Sequence, residues 1–570
     1  MLFIGFIFTA ALAITLASLI ASTLLARKDL LEVLRQRINK PTLAALVIML
    51  AFFLVFSLEF VHPVEQLYFD ENIYQGIALN ILMHGNALWC QYGSSLLHSC
   101  FNNQLYHDTI GYPFLIAIAF GIFGVGIGTA YGLQLFIGFL SILFFFLLAS
   151  ALFDNKRAIF ASTLAFALAP QLFIWSRTQA IPDLALMCLA TLTFFFFAAF
   201  IRRINLRTFA AFGSSLALTA YMRIEGILLI PIFIVLFLAY GDEGIIHTSR
   251  KRMKLITNSI NHNTKFLIIL LFLFLLIVPE IYYLSTQLAN PSYGQDYSNQ
   301  QLFSISNFAN NYQSNFLFLL GSYNSTNQFP LVFPVETTIL AIIGGFLLAT
   351  TKAKNKYSML LLALLWIFSY LLFYDFFYAG AATFGVDDRF MLQLIPGLSL
   401  LAGVCICEAS EIAGSIAPKL RAARNMACMA LVLLLLVVPF MLLSPSITLP
   451  PSQMPQQTTI YDALSFFYAN YNSVPSSCMV YTFTPDLWYE FNRSAAQISY
   501  LGSTDQQFLS NTKNYSCRVV DYGYWCNVPP YINSTCGNIL KGYNLYPLAN
   551  YTNPHKGEHF ALYEILNKTG

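Results

Sequence analysis

The chain reads YFDENIYQGIALNILMHG over residues 68–85. Two adjacent carboxylates, Asp70 and Glu71, open a stretch in which apolar residues recur on one predicted helix face, for example at Ile73 and Ile77. Acidic residues suit a helix N-terminus, so capping is one explanation of the pair. A general base held at a membrane surface is the other, because the stretch lies in a long segment without Lys or Arg that separates strongly apolar regions.

The overall composition excludes a protein that is soluble throughout. Of the 570 residues, 57% are hydrophobic and only 10% are charged, and the mean hydropathy is +0.63. Soluble proteins carry about 25% charged residues. The net charge of +3 argues against a nucleic-acid partner. The sequence therefore predicts a polytopic membrane protein, and its first apolar stretch is expected to be a span, since no cleavage site of the A-x-A type stands out after it.

Apolar length and the positions of the basic residues predict the topology. Twelve stretches are long enough, or nearly so, to cross a hydrocarbon core of about 30 Å. Most of the 30 Lys and Arg lie in short segments between them, whereas residues 61–128 and 284–331 contain none. By the positive-inside rule the basic segments are cytoplasmic, and the two long segments and both termini are extracytoplasmic. The predicted spans are residues 2–26, 42–60, 129–153, 158–175, 183–201, 207–222, 224–240, 265–283, 332–351, 357–376, 389–408 and 425–443.

One further apolar stretch is expected not to cross the membrane. Residues 110–126 read IGYPFLIAIAFGIFGVG, and counting them as a span would place every later basic segment on the wrong side. Their short length, their proline and their internal glycines suit a re-entrant or interfacial helix. With residues 71–84 as a second, more amphipathic helix, the outer loop 61–128 is predicted to contain two helices at the membrane surface.

The composition changes near residue 444. The chain becomes polar and rich in Asn, Tyr, Ser and Pro, and runs such as CMVYTF (478–483) and HFALYEI (559–565) predict strands. The fold class that we predict is an all-α polytopic membrane domain over 1–443, followed by a small extracytoplasmic α/β domain over 444–570.

Sequons and cysteines agree with this topology. All six sequons fall on the side that the charges make external, which predicts a glycoprotein. Four cysteines lie in the tail and two in the first outer loop, so disulfides are expected, with three possible pairings in the tail. Cysteines within the spans are expected to be packing residues. The sequons are Asn324, Asn492, Asn514, Asn533, Asn550 and Asn567, the external cysteines are Cys90, Cys100, Cys478, Cys517, Cys526 and Cys536, and the others are Cys188, Cys405, Cys407 and Cys428.

Three arginines lie outside both the cytoplasmic segments and the tail. Arg177, Arg223 and Arg389 map to the outer ends of predicted spans. Charges at such depth are costly unless they are paired or face a polar cavity. Interfacial anchors and helix-to-helix ion pairs are one explanation; the other is a substrate site that includes the neighbouring carboxylates. These are Asp183, Glu225, Asp387 and Asp388.

A carboxylate base and several arginines at one membrane boundary suit a particular chemistry. A guanidinium fork matches phosphate oxygens, and the apolar surface between span ends fits a polyprenyl chain. Asp70 would take a proton from an acceptor hydroxyl or amine that attacks an anomeric carbon, and the arginines would stabilise the departing lipid phosphate. His107 is a weaker candidate than Asp70, because a single loop histidine is usually only solvated.

With these residues in view, the sequence resembles the GT-C superfamily of integral-membrane glycosyltransferases. It is most similar to the branch of dolichyl-phosphate-mannose protein mannosyltransferases and lipid A aminoarabinose transferases, over roughly residues 60–410. FDENIYQGIALNIL (69–82) resembles the acidic first-loop motif, and HDTIGYPFLIAIAFGIFG (107–124) resembles the surface helix that follows it. The later outer-edge motifs correspond to SRTQAIPDLALMCLATLTFFFF (176–197), TAYMRIEGILLIP (219–231) and DDRFMLQLIPGLSLLAG (387–403).

The resemblance implies transfer of a sugar from a polyprenyl (dolichyl) phosphate on the extracytoplasmic face, without a nucleotide sugar. By motif position Asp70 would be catalytic, and Glu71 its neighbour in acceptor binding. Arg389 would bind the donor phosphate, with Arg223 as a second candidate. The acceptor is expected to be a protein, a lipid or a glycan. No cofactor or divalent metal is expected. The expected membrane is an archaeal plasma membrane, with the endoplasmic reticulum as the alternative.

The chain departs from the family pattern at two places. Asp108-Thr109 replace the usual proline pair after the histidine, and Tyr131 and Gln134 occupy the region where many members have an arginine.

Two alternatives remain open from the sequence. The first is an oligosaccharyltransferase with a diphosphate-linked donor, because DYGYW (521–525) partly resembles that group's Trp-Trp-Asp-Tyr-Gly motif, although Val519-Val520 occupy the tryptophan positions. The second is a transporter or flippase. Charged residues near span ends and the lack of an internal repeat argue against it.

Overall fold

The structure is a computed structural model. It describes residues 2–35, 37–61, 69–94, 99–106, 108–242, 264–289, 303–321, 333, 335–350, 354–378, 380–381, 387–416, 437, 457–528, 531–554 and 556–568.

The membrane portion is helical, as predicted. Its helices are α1 (Leu2–Arg35), α2 (Lys40–Phe60), α3 (Phe69–His84), α4 (Gly111–Phe123), α5 (Ile127–Leu152), α6 (Lys156–Ala167), α7 (Pro170–Arg177), α8 (Pro182–Arg202), α9 (Leu206–Ala220), α10 (Leu229–Asp242), α11 (Thr264–Ala289), α12 (Ile305–Leu319), α13 (Val335–Thr350), α14 (Lys354–Phe376) and α15 (Ile395–Ile416). Two 3₁₀ turns, Ile224–Leu228 and Asp387–Leu394, precede α10 and α15.

Within the described residues, seven helical segments are long and apolar enough to cross a membrane. An eighth crossing results if α6 and α7, which meet at 49°, are one bent span. The predicted spans 207–222, 224–240 and 332–351 correspond to shorter helices, and 425–443 lies outside the described residues except for residue 437. The polytopic prediction is confirmed, while the total of twelve spans stays a prediction.

The stretch predicted not to cross forms the short helix α4. Its 13 residues extend about 20 Å, less than the hydrocarbon thickness of about 30 Å. It packs against α3 and α5, and it ends at Gly124, whose φ of +92° favours glycine. The outer loop therefore contains the two predicted helices, α3 and α4.

Three of the segments predicted to be cytoplasmic meet at one end of the helices. Arg37 forms an ion pair with Asp154 and donates a hydrogen bond of 2.8 Å to the carbonyl oxygen of Ala151. Arg203 pairs with Glu32. Segments 27–41, 154–157 and 202–207 therefore lie together, as the positive-inside argument requires.

A seven-stranded sheet joins the tail to the first outer loop. Its order is β2-β1-β4-β3-β5-β7-β6, where β3 is parallel to β4 and to β5 and the other pairs are antiparallel. The hairpin β1–β2 comes from the outer loop, and Tyr92 of β1 pairs with Ala496 of β4. The strands are β1 (Trp89–Ser94), β2 (Ser99–Gln104), β3 (Cys478–Thr482), β4 (Ser494–Gln497), β5 (Cys517–Tyr522), β6 (Tyr543–Thr552) and β7 (His559–Lys568).

Helices cover both faces of this sheet. They are α16 (Gln457–Asn470), α17 (Pro485–Glu490), α18 (Gln506–Thr512) and α19 (Thr535–Gly542). Trp488 of α17 packs in the core that continues into the membrane portion, whereas Phe508 of α18 packs on the opposite face, with Met479 and Tyr481 of β3. The predicted α/β domain is confirmed, and its sheet also includes a hairpin from the first outer loop.

Disulfides form between the cysteines that were predicted to be external. Cys90 pairs with Cys100, and the tail pairs are Cys478–Cys517 and Cys526–Cys536, which decides among the three possibilities. Cys188, Cys405 and Cys407 are buried among the helices, as expected of packing residues. Cys428 and the sequon Asn324 lie outside the described residues. The sequon asparagines of the tail, Asn492, Asn514, Asn533, Asn550 and Asn567, are all exposed.

Candidate active site

The first turn of α3 places its two carboxylates in different surroundings. Glu71 is fully buried, and its Oε1 accepts hydrogen bonds from the backbone N–H of Ala180 at 2.6 Å and from the hydroxyl of Tyr131 at 3.1 Å. Asp70 is partly exposed. Glu71 therefore fixes α3 to α5 and to the connection between α7 and α8, and Asp70 remains accessible to a reactant.

Asp70 is oriented by a tyrosine from the loop before α4. The hydroxyl of Tyr106 donates to Oδ1 of Asp70 at 2.5 Å. Burial, together with the charge of Asp70, raises the pKa of Tyr106 well above its usual value, so the phenol keeps its proton and remains a donor. The backbone oxygen of Tyr106 in turn accepts a hydrogen bond from Tyr283 of α11.

The same loop brings a second carboxylate to the site. Asp108 is buried, its side chain accepts a hydrogen bond from Tyr74 of α3, and its carbonyl oxygen accepts one from Tyr283 at 2.6 Å. Burial, followed by the charges of Asp108 and Asp70, raises the pKa of Tyr74 well above its usual value. Tyr106 and Asp108 are therefore fixed by hydroxyl donors from α3 and α11. His107 lies outside the described residues.

Arg223, the second candidate for binding the donor phosphate, is paired with two carboxylates. Nη1 of Arg223 donates to both carboxylate oxygens of Asp183, each at 2.8 Å, and its Nε donates to Oε2 of Glu225 at 3.1 Å. All three side chains are buried. Asp183, which the sequence places near Arg177, therefore pairs with Arg223 across 40 positions. Gln393 fixes the same residue by donating to its backbone oxygen at 2.9 Å.

Phe390 links the two candidate phosphate-binding arginines. The guanidinium carbon of Arg223 lies 5.3 Å from the centroid of its ring, and that of Arg389 lies 5.2 Å from it. Tyr374 of α14 stacks on the same ring at 4.6 Å. Cation–π contact holds an arginine while leaving its N–H groups in their own plane for an anion. Arg389 is partly exposed, which suits that role.

The remaining predicted residues lie on neighbouring elements. Arg177 is the last residue of α7 and is partly exposed. Asp387 and Asp388 begin the 3₁₀ turn that packs against α7 and α8, but their side chains are outside the described part of the chain.

Tyr131 and Gln134, which occupy the region where the resembled family often has an arginine, also contribute to the site. Tyr131 bonds to Glu71, as described. Gln134 accepts from Tyr112 at 2.9 Å and donates to the carbonyl oxygens of Trp175 and Ile181 at 3.1 and 3.0 Å. The neutral side chain of Gln134 therefore holds the connection between α7 and α8, in which the backbone N–H of Ala180 donates to Glu71.

These charged groups lie around two buried tyrosines, Tyr74 and Tyr112. Burial has the largest effect on the pKa of each tyrosine. The charges of Asp108, Asp70 and Arg223 also act on the pKa of Tyr74, and those of Glu71 and Asp183 on the pKa of Tyr112. The structure therefore brings together most of the predicted charged residues. Asp108 was visible in the sequence as a departure from the proline pair, but its role was not. Tyr74, Tyr106 and Tyr283 carried no signal, because a tyrosine that orients a carboxylate has no characteristic spacing.

A metal site is a separate question. Within the described ranges, His, Cys, Asp and Glu nowhere form a group of three or more suited to a metal ion. The carboxylates nearest the site accept hydrogen bonds from Tyr106, Tyr131, Tyr74 and Arg223. Metal independence stays a prediction.

Comparison with known proteins is consistent with this architecture. The sequence profile of the family described as dolichyl-phosphate-mannose-protein mannosyltransferase matches residues 107–283, which include Asp108, Arg177, Asp183, Arg223 and Glu225. No curated protein matches the chain significantly.

Solved structures match over nearly the whole chain. ArnT from Cupriavidus metallidurans bound to undecaprenyl phosphate has a TM-score of 0.52 at 14% identity, covering 91% of this chain and 97% of that one. Its apo form gives 0.55 with the same identity and coverage. The archaeal oligosaccharyltransferase AglB from Archaeoglobus fulgidus, in complex with an inhibitory peptide and a dolichol-phosphate, gives 0.50 at 14% identity, covering 92% and 74%.

Because the identities are this low, the structural matches establish only the fold of the chain. The family match covers part of the membrane portion. The structural matches cover both parts of the chain. These are the membrane portion, with the acidic helix α3 and the short helix α4, and the sheet domain that follows. Residues 107–283 thus match the profile of this mannosyltransferase family, and the chain as a whole has the fold seen in ArnT and AglB.

Proposed function

We propose that the chain transfers a sugar from a polyprenyl-phosphate donor to an acceptor, with Asp70 as the general base. The observation that carries this proposal is the geometry at the start of α3. There Glu71 is buried and fixed, and Asp70 is partly exposed and oriented by Tyr106. A base must be both oriented and accessible to take a proton from an incoming reactant.

The reaction balances with the residues present. An acceptor hydroxyl or amine attacks the anomeric carbon of the donor, and its proton passes to Asp70. The bond between that carbon and the phosphate oxygen breaks, and the electron pair leaves with the polyprenyl phosphate. Positive charge placed in advance near the leaving oxygen lowers the barrier.

Arg389 is the better candidate for that positive charge, and Arg177 is the second. Arg223 already donates three hydrogen bonds to Asp183 and Glu225, so two carboxylates balance its charge. Arg389 is partly exposed and is held by the ring of Phe390. We therefore assign Arg223 a positioning role through Phe390, and Arg389 the contact with the donor phosphate.

The finer assignments rest on separate observations. A mannosyl donor is the first to test, because of the family whose profile matches residues 107–283. The disulfides and the exposed tail sequons support an extracytoplasmic site in an oxidising compartment, with an archaeal plasma membrane favoured. We also propose that the reaction needs no divalent metal and no nucleotide sugar.

The decisive experiment is release of polyprenyl phosphate from a panel of radiolabelled polyprenyl-phosphate hexoses by the purified full chain. Release by the wild type and its loss in Asp70→Asn, in buffer containing a chelator, are expected. Asp505→Asn is the matched control, because Asp505 is an exposed helix N-cap where asparagine caps equally well.

Three outcomes would contradict the proposal. Equal release by Asp70→Asn would remove that residue from the mechanism. Restoration of release only by added Mg²⁺ or Mn²⁺ would overturn metal independence. Transfer only from a diphosphate-linked oligosaccharide would replace the donor class.

A further inference from the structure

A cleft lies between α3 and the C-terminal domain. Asn72 forms its wall on the α3 side, and Phe483, Asp521, Tyr524 and Trp525 are among the residues that line it from the other side. Asn72 follows Glu71 directly, so the cleft begins beside the first turn that carries the proposed base.

The topology of the sheet explains why a cleft forms here. The chain passes from β3 to the parallel strand β4 on one side, and then to the parallel strand β5 on the other side of β3. The connecting helices α17 and α18 therefore lie on opposite faces, and the chain diverges at the carboxyl ends of β3 and β5. Such switch points are where open α/β sheets bind ligands. Residues 482–484, Asp521 and residues 523–525, which line the cleft, occupy this point.

The walls of the cleft are fixed in advance. Oδ2 of Asp521 accepts hydrogen bonds from the hydroxyl of Thr482 at 2.9 Å and from the indole N–H of Trp488 at 3.0 Å. The disulfide Cys526–Cys536 holds the turn that follows Asp521. Because little ordering remains for a ligand to induce, such a site suits selective binding.

Further bracing comes from β7. Asn527 donates to the backbone oxygen of His559 at 2.8 Å and accepts from its backbone N–H at 3.0 Å. At the other end of the β3–β5 pair, the disulfide Cys478–Cys517 joins the first residues of the two strands. The carboxyl ends of β3 and β5 are the ends that line the cleft with Asn72 of α3.

The lining favours a saccharide over an extended peptide. Tyr524 and Trp525 have ring centroids 5.2 Å apart, and Phe483 adds a third ring. Aromatic faces bind the apolar faces of sugar rings, while Asp521 and Asn72 offer a carboxylate and an amide to hydroxyl groups. An extended peptide would pair with a strand edge, but β3 and β5 are each paired on both sides.

We propose that this cleft binds a saccharide unit of the acceptor, adjacent to the unit that receives the sugar. The proposal deepens the proposed function and rests on it for the word acceptor. Asn72 and Asp70 are two positions apart on a helix, so they face different directions around the first turn of α3. A ligand in the cleft must therefore pass around that turn to present a hydroxyl at Asp70, which requires an acceptor of at least two units.

The first test measures binding without catalysis. Saturation-transfer NMR is recorded on the full chain in nanodiscs with methyl glycosides of glucose, galactose and mannose, and with a threonine-containing hexapeptide. Wild type and Asp70→Asn are expected to give equal signals with at least one glycoside. Tyr524→Ala is expected to weaken that binding about fivefold or more, the size of one lost aromatic contact.

Two further variants keep the test decisive. Asp521→Asn should also weaken binding, although its amide oxygen can still accept from Thr482 and Trp488, which preserves the fold. Tyr546→Ala is the matched control and should bind like the wild type, because Tyr546 lies on the edge strand β6 and is 57% exposed.

The possible failures can be told apart. Glycoside binding without polyprenyl phosphate release would leave the cleft assigned and remove the proposed function. If polyprenyl phosphate is released but wild type, Tyr524→Ala and Asp521→Asn bind glycosides equally, the proposed function stands and the assignment of the cleft is wrong. Absence of glycoside binding, or binding of the hexapeptide alone, would overturn the saccharide assignment.

Discussion

Asp486 of the C-terminal domain lies directly against Gly76 of α3, so that a Cβ at residue 76 would overlap its Oδ1. The other carboxylate oxygen accepts a hydrogen bond from the indole N–H of Trp89 at 3.1 Å. Gly76 lies six residues after Asp70 in the same helix. The C-terminal domain is therefore part of what positions the proposed base.

Gly76→Ala should weaken this contact. Alanine favours a helix by up to about 1 kcal/mol, but here its Cβ also meets Cβ of Asp486 at 2.9 Å, so the backbones must separate. Overpacking of this kind costs about 1–3 kcal/mol. We expect a lower melting temperature and at least tenfold slower sugar transfer, measured by thermal unfolding and polyprenyl phosphate release.

Gly132→Ala is the control for this substitution. Gly132 lies inside α5, where an added Cβ meets nothing within 4 Å. It should leave the melting temperature unchanged or raise it, because alanine is the better helix former. A Gly76→Ala protein that behaves like Gly132→Ala would show that α3 does not depend on the domain contact.

Asp486 should make stability depend on pH. Burial raises the pKa of Asp486 well above its usual range, an effect only partly offset by the hydrogen bond from Trp89. The folded carboxyl therefore keeps its proton at pH values where the unfolded one has lost it. The folded state binds more protons above about pH 4, so the free energy of unfolding falls as the pH rises from there until the folded carboxyl also ionises.

Asp486→Asn is expected to remove this slope. Thermal unfolding between pH 4 and 8 should show the wild type losing stability as the pH rises, while the variant loses less and is the more stable protein near pH 7. Asp505→Asn, at an exposed N-cap, should keep the wild-type slope. Parallel curves for wild type and Asp486→Asn would contradict the buried, protonated carboxyl.

The sequence predicted those features that follow from local periodicity and from charge counts. The acidic start of α3, the short helix α4 and the grouping of basic segments at one end of the helices each follow from a rule that acts within one segment. The carboxylates near the arginines were recognised for the same reason, because buried charge is rare and costly.

Long-range pairing was not predictable from one sequence. The β1–β2 hairpin joins β4 across about 400 positions, and Asp183 pairs with Arg223 instead of the nearer Arg177. Such choices depend on how helices pack, which leaves no period in the chain. The tyrosines around Asp70 and Asp108 were missed because aromatic residues are common in every span.

Asp183→Ala should be strongly destabilising. It would leave the guanidinium of Arg223 buried after two of its three observed hydrogen bonds are lost. Breaking a buried ion pair by removing one partner costs about 3–5 kcal/mol. The expected result is a lower melting temperature and little folded protein.

Glu225→Gln provides the comparison for that variant. Its amide oxygen can still accept from Nε of Arg223, and Asp183 still balances the charge. The protein should therefore fold, with a smaller loss of stability. Equal melting temperatures for Asp183→Ala and the wild type would show that the pair is solvated and not part of a rigid frame.

Tyr106→Phe should slow the chemical step without weakening donor binding. The substitution removes the hydroxyl that donates to Asp70 at 2.5 Å and keeps the ring, which packs edge-on against Tyr74 and Trp89. A hydrogen bond to a charged group contributes about 1.5–3 kcal/mol, so a misoriented base should cost about tenfold or more in kcat. KM for the donor should stay constant, because the arginines proposed to hold its phosphate are on other elements. Tyr312→Phe, at an exposed tyrosine of α12, should change neither constant. A raised KM with unchanged kcat would instead place Tyr106 in substrate binding, and the orienting role that its hydroxyl has toward Asp70 would have to be abandoned.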